Sequence, residues 1–374
     1  MTAAVMHEQG LPTPYAESRP FQIEEVELEG PGPGEVLVEV RGAGLCHSDL
    51  TVVAGHRKRT VPVIGGHEGA GIVREVGAGV TALQSGDHVV MTLVAGCGQC
   101  RPCMKARPAL CDGVSASRSQ GLLSNGARRI SGADGPIFHY SGISSFAQYA
   151  VTAPNSLIRI DPSVPLDVAA MFGCAVTTGA GSVFNSARVR PGDAVAVVGL
   201  GGVGLNSVMA AKIAGAATII GIDLNESKLP LARDLGCTHT FAARDPELAS
   251  KVQDLTHGGV DFAFDVTGAQ SALTLATEIS CKGGEVICVG LGPKDAKNTY
   301  AHAPLVTQEK AFRGAAMGTC VPQRDIPKFV QMHLDGKLPV DRLMSMSMTF
   351  DELNGSLDRL SQGDVVRQVL LPHG

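Results

Sequence analysis

Cys97, Cys100, Cys103 and Cys111 stand at the spacing C-x2-C-x2-C-x7-C. Four thiolates this close suit a closed tetrahedral zinc site. No position is left for water or substrate, so such a metal would be structural. An iron–sulfur cluster is the competing use of close cysteine spacing, but the rest of the chain has no electron-transfer features. A second signal is Gly199-Leu200-Gly201-Gly202-Val203-Gly204, a G-x-G-x-x-G run directly after the apolar stretch Ala194–Val198 and before a helical segment. Glycines there let backbone approach a pyrophosphate, and a helix N-terminus offers it free N–H groups. Asp223 closes the next strand, where a carboxylate meets the adenosine ribose hydroxyls and repels a 2′-phosphate, which favours NAD over NADP. Its competing role is to cap the following turn. Lys228 could touch the same ribose or simply face solvent.

A third set is dispersed: Cys46-His47-Ser48-Asp49, then Gly66-His67-Glu68, then Gly173-Cys174. Two cysteines and one histidine give zinc three ligands and one open position. Spacing alone does not group residues so far apart, and a lone Cys or His is more often structural.

These residues need elements to carry them. Glu35 to Val40 alternates polar and apolar, which reads as a strand with one buried face, and Pro31-Gly32-Pro33-Gly34 before it is a turn signal. Strand runs continue to about residue 160 with few helical patterns, so this part reads as an antiparallel, partly barrel-like domain. The texture changes near Asp167. Apolar strands at 194–198, 218–222, 262–266 and 285–289 alternate with helical segments such as Asn206 to Ala214. That pattern implies a parallel sheet covered on both faces. The tail, with a helix at 326–334 and a strand at 365–371, is expected to return to the first domain.

Composition narrows the classes. A chain of 374 residues suggests two or three domains. The net charge of −5 comes without any long basic run, and with aromatics at 4% and no Trp there is no stacking platform for single-stranded nucleic acid. The densest basic cluster, His56-Arg57-Lys58-Arg59, reads as a solvated loop. The N-terminus has no basic start followed by an apolar stretch, so no signal peptide is expected. The uncharged stretch Ala194 to Ala211 holds several glycines and Asn206, and reads as a buried strand–turn–helix rather than a membrane span. Cysteines without an export signal point to a reducing, cytoplasmic setting. Cys237, Cys281, Cys288 and Cys320 lie in mostly apolar surroundings and read as core residues.

Together, Gly66-His67-Glu68-x2-Gly71 with Gly77, the four-cysteine lobe, Gly173-Cys174 and the glycine fingerprint with Asp223 resemble the zinc-containing medium-chain alcohol dehydrogenases. The resemblance covers essentially the whole chain and is strongest to the animal-type and glutathione-dependent formaldehyde dehydrogenase branch. It implies an α/β and β architecture. Residues 1–175 and 318–374 would form a mostly antiparallel GroES-like catalytic domain, and 176–317 a doubly wound Rossmann domain that binds NAD. It implies hydride transfer between NAD and a primary or secondary alcohol.

By the same resemblance, Cys46, His67 and Cys174 hold a catalytic zinc, with Glu68 behind it as an alternate ligand. Asp49 orients the ligand histidine, and Ser48 takes the alcohol proton. Thr178 and Val203 lie beside the nicotinamide, and Arg367 near the pyrophosphate. A homodimer joined through the coenzyme domains is implied, with a tetramer as the alternative. His47 stands where many members carry Arg, which predicts a weaker and pH-sensitive pyrophosphate contact. Thr51 replaces a histidine that relays the proton, so the relay runs through Ser48, the ribose and Thr51 or water. Leu93 and Tyr140 match substrate-pocket positions, and a smaller residue at Leu93 admits a bulky or aromatic alcohol. Arg57, Lys58 and Arg59 stand where relatives specific for the glutathione adduct of formaldehyde carry acids. An S-(hydroxymethyl)glutathione or other thiol-adduct dehydrogenase is therefore the alternative enzyme. The alternative from another class is a non-catalytic zinc- and NADH-binding protein, against which the complete ligand set argues.

Overall fold

The strand Val36–Leu45 organises the N-terminal part because its apolar residues repeat with the period of a strand: Val36, Val38 and Val40 are all fully buried. In the computed structural model, which describes residues 1–293 and 296–374, this strand belongs to the first of two units. That unit comprises Met1–Ala175 and Val321–Gly374, and the second comprises Val176–Cys320.

In the first unit Val36–Leu45 pairs antiparallel with Glu68–Val76, which pairs with His88–Thr92 and so carries the sheet on to Leu157–Arg159. The free side of Val36–Leu45 is shared. Its first half takes Tyr149–Thr152, and its end takes the C-terminal strand Arg367–Leu370, with Gln368 opposite Leu45. The tail thus returns to the strand that delivers Cys46. A second sheet runs in the order Gln22–Glu25, Thr2–Met6, Val63–Ile64, Gly135–His139, Ile130–Gly132, Glu27–Leu28. The tail helix begins at Pro322, earlier than its apolar pattern indicated, because proline suits the first turn of a helix. A further helix, Leu353–Gln362, was not anticipated. Gly355 and Ser356 blur its signal, yet Leu353, Leu357 and Leu360 share a buried face.

In the second unit six parallel strands run in the order His239–Ala242, Thr218–Asp223, Ala194–Val198, Val260–Asp265, Ser280–Cys288, Ala311–Gly314. Ala194–Val198 lies inside the sheet, and Val195, Ala196 and Val197 have no exposure, which explains why the strand is apolar throughout. Helices Gly202–Ala214, Leu229–Leu235, Leu248–Leu255 and Gln270–Ile279 connect the strands. The stretch Ala194 to Ala211 is a strand, a turn and most of a helix. Among the described residues no single helix is long and apolar enough to cross a membrane.

Candidate active site and metal centres

Cys46 follows the strand Val36–Leu45 directly and caps the helix His47–Val53. His67 and Glu68 stand at the start of Glu68–Val76, and Cys174 follows the turn Met171–Gly173. The Thr92 hydroxyl donates to the Gly173 carbonyl at 3.0 Å and so seats that turn on the strand His88–Thr92. The result brings one ligand atom each from Cys46, His67, Glu68 and Cys174 within 4.8 Å of one another, all buried.

The chemistry of this cluster is that of a metal site. His67 Nδ1 lies 2.9 Å from Asp49 Oδ1, and Asp49 Oδ2 accepts from the Cys46 backbone N–H at 3.0 Å. With Nδ1–H committed to the carboxylate, Nε2 is left with its lone pair pointing into the cluster. That Nε2 and Glu68 Oε1 are both buried without a hydrogen-bond partner. Burial opposes an imidazolium at His67, but the Asp49 carboxylate outweighs it and holds the pKa well up. A hydrogen bond from the Cys174 thiol, aided by His67 and Arg367, holds the Cys46 thiol well below its ordinary value against the cost of burial. Burial pushes the Glu68 carboxyl up to about 8, and Arg367 pulls against it. Two soft thiols and one imidazole, with one orphaned nitrogen, fit zinc. Glu68 fits as a further oxygen donor.

The Arg367 guanidinium is 4% exposed and donates to Glu68 Oε2. The reason is topological, since Arg367–Leu370 lies antiparallel against the end of Val36–Leu45 and turns Arg367 inward behind Cys46.

Around this cluster, Ser48 is half-buried in the first turn of His47–Val53, and His47 is exposed. The Thr51 hydroxyl donates to the His47 carbonyl at 2.9 Å. Tyr140 is buried with its ring 5.8 Å from the His67 ring, and Leu93 is half-buried against the same core. One arginine escaped sequence reasoning: Arg118, on the helix Asp112–Ser119, donates to the Leu93 carbonyl. Arg59, which the sequence placed in the basic cluster, lies over the Tyr140 ring at 5.5 Å. Arg59 therefore leaves the solvated loop expected for the basic cluster. Nothing local in the sequence marks Arg118.

The second donor set is Cys97, Cys100, Cys103 and Cys111, again within 4.8 Å of one another. Cys100 heads the short helix Arg101–Met104, and the Cys97 Sγ accepts from the Cys100 N–H at 3.4 Å. The Gln99 N–H first, and then that of Cys100, hold the Cys97 thiol down at about 6, where it loses its proton readily to a metal. Cys237 and Cys320 are buried, Cys281 and Cys288 half-buried, and none belongs to either cluster.

In the second unit Gly202 opens the helix Gly202–Ala214. A side chain at Gly204 would strike the Gly199 carbonyl, so glycine is what lets the helix close on the loop, whereas Gly201 faces open space where a ligand can approach. Asp223 accepts from Leu200 N–H at 2.6 Å and from Asn225 N–H at 2.8 Å, so it fastens the glycine loop and caps the next turn as well. Lys228 ends the turn Glu226–Lys228, half-buried. Thr178 is buried with its hydroxyl 3.6 Å from Met317 Sδ, and Val203 lies half-exposed one residue into the helix.

Residues 32–162 match the model of the alcohol dehydrogenase GroES-like domain, and residues 202–335 that of the zinc-binding dehydrogenases. The chain is 37% identical to an S-(hydroxymethyl)glutathione dehydrogenase of Paracoccus denitrificans, over 94% of this chain and 96% of that one. Among solved structures it is similar to an alcohol dehydrogenase zinc-binding domain protein from Burkholderia ambifaria, with a TM-score of 0.93, 36% identity and coverage of 100% and 99%. It is also similar to benzyl alcohol dehydrogenase from Acinetobacter calcoaceticus, with a TM-score of 0.92, 31% identity and coverage of 99% and 98%.

Proposed function

Because the chain belongs to the zinc-binding alcohol dehydrogenase family, we propose that Cys46, His67 and Cys174 hold its catalytic zinc and that it oxidises alcohols with NAD as hydride acceptor. The observation that carries this is the His67 Nε2, buried and without a partner beside two thiols. A metal held there supplies Lewis acidity to the alcohol oxygen, and a bound nicotinamide accepts the hydride. The remaining work falls to the chain. Asp49 keeps the His67 ring in one tautomer and orientation. Ser48 takes the proton that leaves the alcohol oxygen, and Thr51, whose hydroxyl lone pairs still accept, holds a water for its onward passage. Glu68 with Arg367 forms a buried pair behind the ligands, and Glu68 is the alternate ligand. Cys97, Cys100, Cys103 and Cys111 hold a structural zinc.

Gly199, Gly201, Gly202 and Gly204 cradle the pyrophosphate, with His47 as a further contact, and Thr178 and Val203 border the nicotinamide. Asp223, with Lys228 beside it, supports NAD over NADP. The modest size of Leu93 supports a bulky or aromatic alcohol, as does the likeness to a benzyl alcohol dehydrogenase. The relative from Paracoccus denitrificans favours a second reading, an S-(hydroxymethyl)glutathione dehydrogenase. We further infer a cytoplasmic homodimer, with a tetramer as the alternative. Its support is the edge strand Ala311–Gly314 and the exposed Leu291, Tyr300 and Val306 of the same unit.

NADH absorbance over a panel of alcohols, and over formaldehyde with and without glutathione, tests the assignment. Cys46→Ser is expected to abolish turnover while the fold persists. Full alcohol oxidation by a zinc-free protein overturns it.

A further inference from the structure

The strands Thr2–Met6 and Gln22–Glu25 are antiparallel neighbours, with Val5 opposite Gln22. A turn of about two to five residues closes such a pair. The chain uses residues 7–21 instead, and the excursion is not slack. Its far half is fastened to the helix Leu353–Gln362. Asp358 accepts from the backbone N–H groups of Tyr15 and Ala16, both at 2.8 Å. Asn354 accepts from Phe21 N–H at 3.1 Å and donates to the Phe21 carbonyl at 2.9 Å. Tyr15 and Phe21 are buried. Long ordered connections of this kind are commonly functional.

The near half reaches the helix His47–Val53, which carries Ser48 and Thr51, and the loop that follows it. The last carbonyls of a helix lack partners within it. Here Gly10 N–H donates to the Val53 carbonyl at 2.8 Å, and the Gln9 side-chain amide donates to that of Val52 at 2.7 Å. The same amide donates to the Arg57 carbonyl at 3.0 Å, and its oxygen accepts from Arg59 N–H at 2.8 Å. One side chain thus ties the helix end to the loop on both sides of Lys58. The other end of the helix is held separately, by Asp49 accepting from the Cys46 N–H at 3.0 Å.

What this loop presents is Arg59. Its Cζ lies 5.5 Å from the centroid of the Tyr140 ring, and that ring packs edge-on against the His67 ring at 5.8 Å. The Arg59 Nε is buried without a hydrogen-bond partner. The side chain is therefore placed by the backbone of its loop and by the ring face, and Gln9 places the loop.

We propose that Gln9 is a positioning residue for substrate choice: it locks the loop 54–59 so that Arg59 and Tyr140 form a fixed outer wall for the alcohol. The proposal rests on the reading of the His67 cluster as the site of alcohol oxidation. A wall already in place need not be ordered when the alcohol binds, and a loop only partly in its competent position weakens apparent binding by that fraction. The effect grows with the alcohol, since only a longer one extends from His67 past Tyr140.

The full chain with zinc and NAD is assayed on ethanol, hexan-1-ol and benzyl alcohol. Gln9→Met keeps the length of the side chain and removes all three hydrogen bonds. Gln9→Glu keeps the acceptor for Arg59 N–H, removes both donors, and reads the same size dependence at smaller amplitude. In Gln9→Met, kcat/KM for hexan-1-ol and benzyl alcohol is expected to fall roughly three- to thirtyfold, through KM, with ethanol turnover and bound zinc unchanged within about twofold. Trypsin should cut after Arg57, Lys58 or Arg59 sooner than in wild type, a readout that needs no turnover. In an Arg59→Met background, Gln9→Met should have little further effect, because the two residues act through one contact. All three alcohols losing alike, none losing, or a Gln9→Met effect undiminished without Arg59 overturns the proposal and leaves the alcohol dehydrogenase reading standing. No NADH from any alcohol with the wild-type chain overturns both.

Discussion

Asp49→Asn replaces one carboxylate oxygen by an amide nitrogen and should cost most of the affinity for the metal held by His67. Asp49 is 2% exposed, and its two oxygens serve two donors, His67 Nδ1 at 2.9 Å and the Cys46 backbone N–H at 3.0 Å. An amide has one oxygen, so either orientation of the substituted side chain leaves one of these donors facing an NH2 group. A buried donor left unpaired costs about 1–3 kcal/mol, and a hydrogen bond to a charged acceptor contributes about 1.5–3 kcal/mol. The share at Cys46 falls on the fold, and the share at His67 falls on the metal, because the ring loses its orientation and part of its basicity. The expected loss of zinc affinity is about 1.5–3 kcal/mol, roughly ten- to a hundredfold, as is usual when the carboxylate behind a ligand histidine is removed. Zinc-stripped protein is titrated against a chromophoric chelator. The four-cysteine cluster serves as the internal reference, since Asp49 touches none of its members. If the Asp49→Asn protein binds this zinc within about threefold of wild type, the carboxylate does not tune the ligand and the reasoning fails.

Three further outcomes follow from other parts of the molecule. His139 is buried, its pKa is lowered from 6.5 to about 4 chiefly by burial, and its Nε2 accepts from the Arg129 N–H at 3.2 Å. The unfolded chain therefore binds the extra proton first, so the stability this neutral ring contributes is complete above pH 6.5 and is lost as the pH falls toward 4, by about 3 kcal/mol at most. His139→Gln should flatten that part of the stability curve in urea unfolding; an unchanged slope would contradict it. Asp223→Ala removes the acceptor of Leu200 N–H and the proposed ribose contact, and should shift the NAD-to-NADP ratio of kcat/KM roughly ten- to a hundredfold toward NADP, read by initial rates. Cys100→Ser should release one zinc per chain and open residues 97 to 120 to proteolysis, and loss of no zinc would refute a metal in that lobe.

How much of this was legible in one dimension depended on reach. The cysteine lobe and the glycine fingerprint were readable because each is built within one short stretch, where spacing and turn chemistry determine geometry. The alternating strands were readable for the same reason. The helix Leu353–Gln362 was not, since Gly355 and Ser356 mask a face that only packing reveals. The grouping of Cys46, His67 and Cys174 came from a family likeness, and nothing in their spacing required it. The pairing of Arg367 with Glu68 was not legible for a related reason: it appears only when the strand that carries Arg367 is seen lying beside Leu45.

The order of residues along the chain was therefore enough to establish the local donor chemistry: four thiols for a metal, and a glycine loop with an acid for a dinucleotide. Local backbone preferences suffice for that. Folding in three dimensions settled which donors share a site, which nitrogen of His67 stays open, and that Arg59 lies over the Tyr140 ring. Those outcomes depend on hydrogen bonds between segments separated by 18 residues, as for His67 with Asp49, and by 299, as for Arg367 with Glu68. Only burial and strand pairing across the whole chain bring such partners into register.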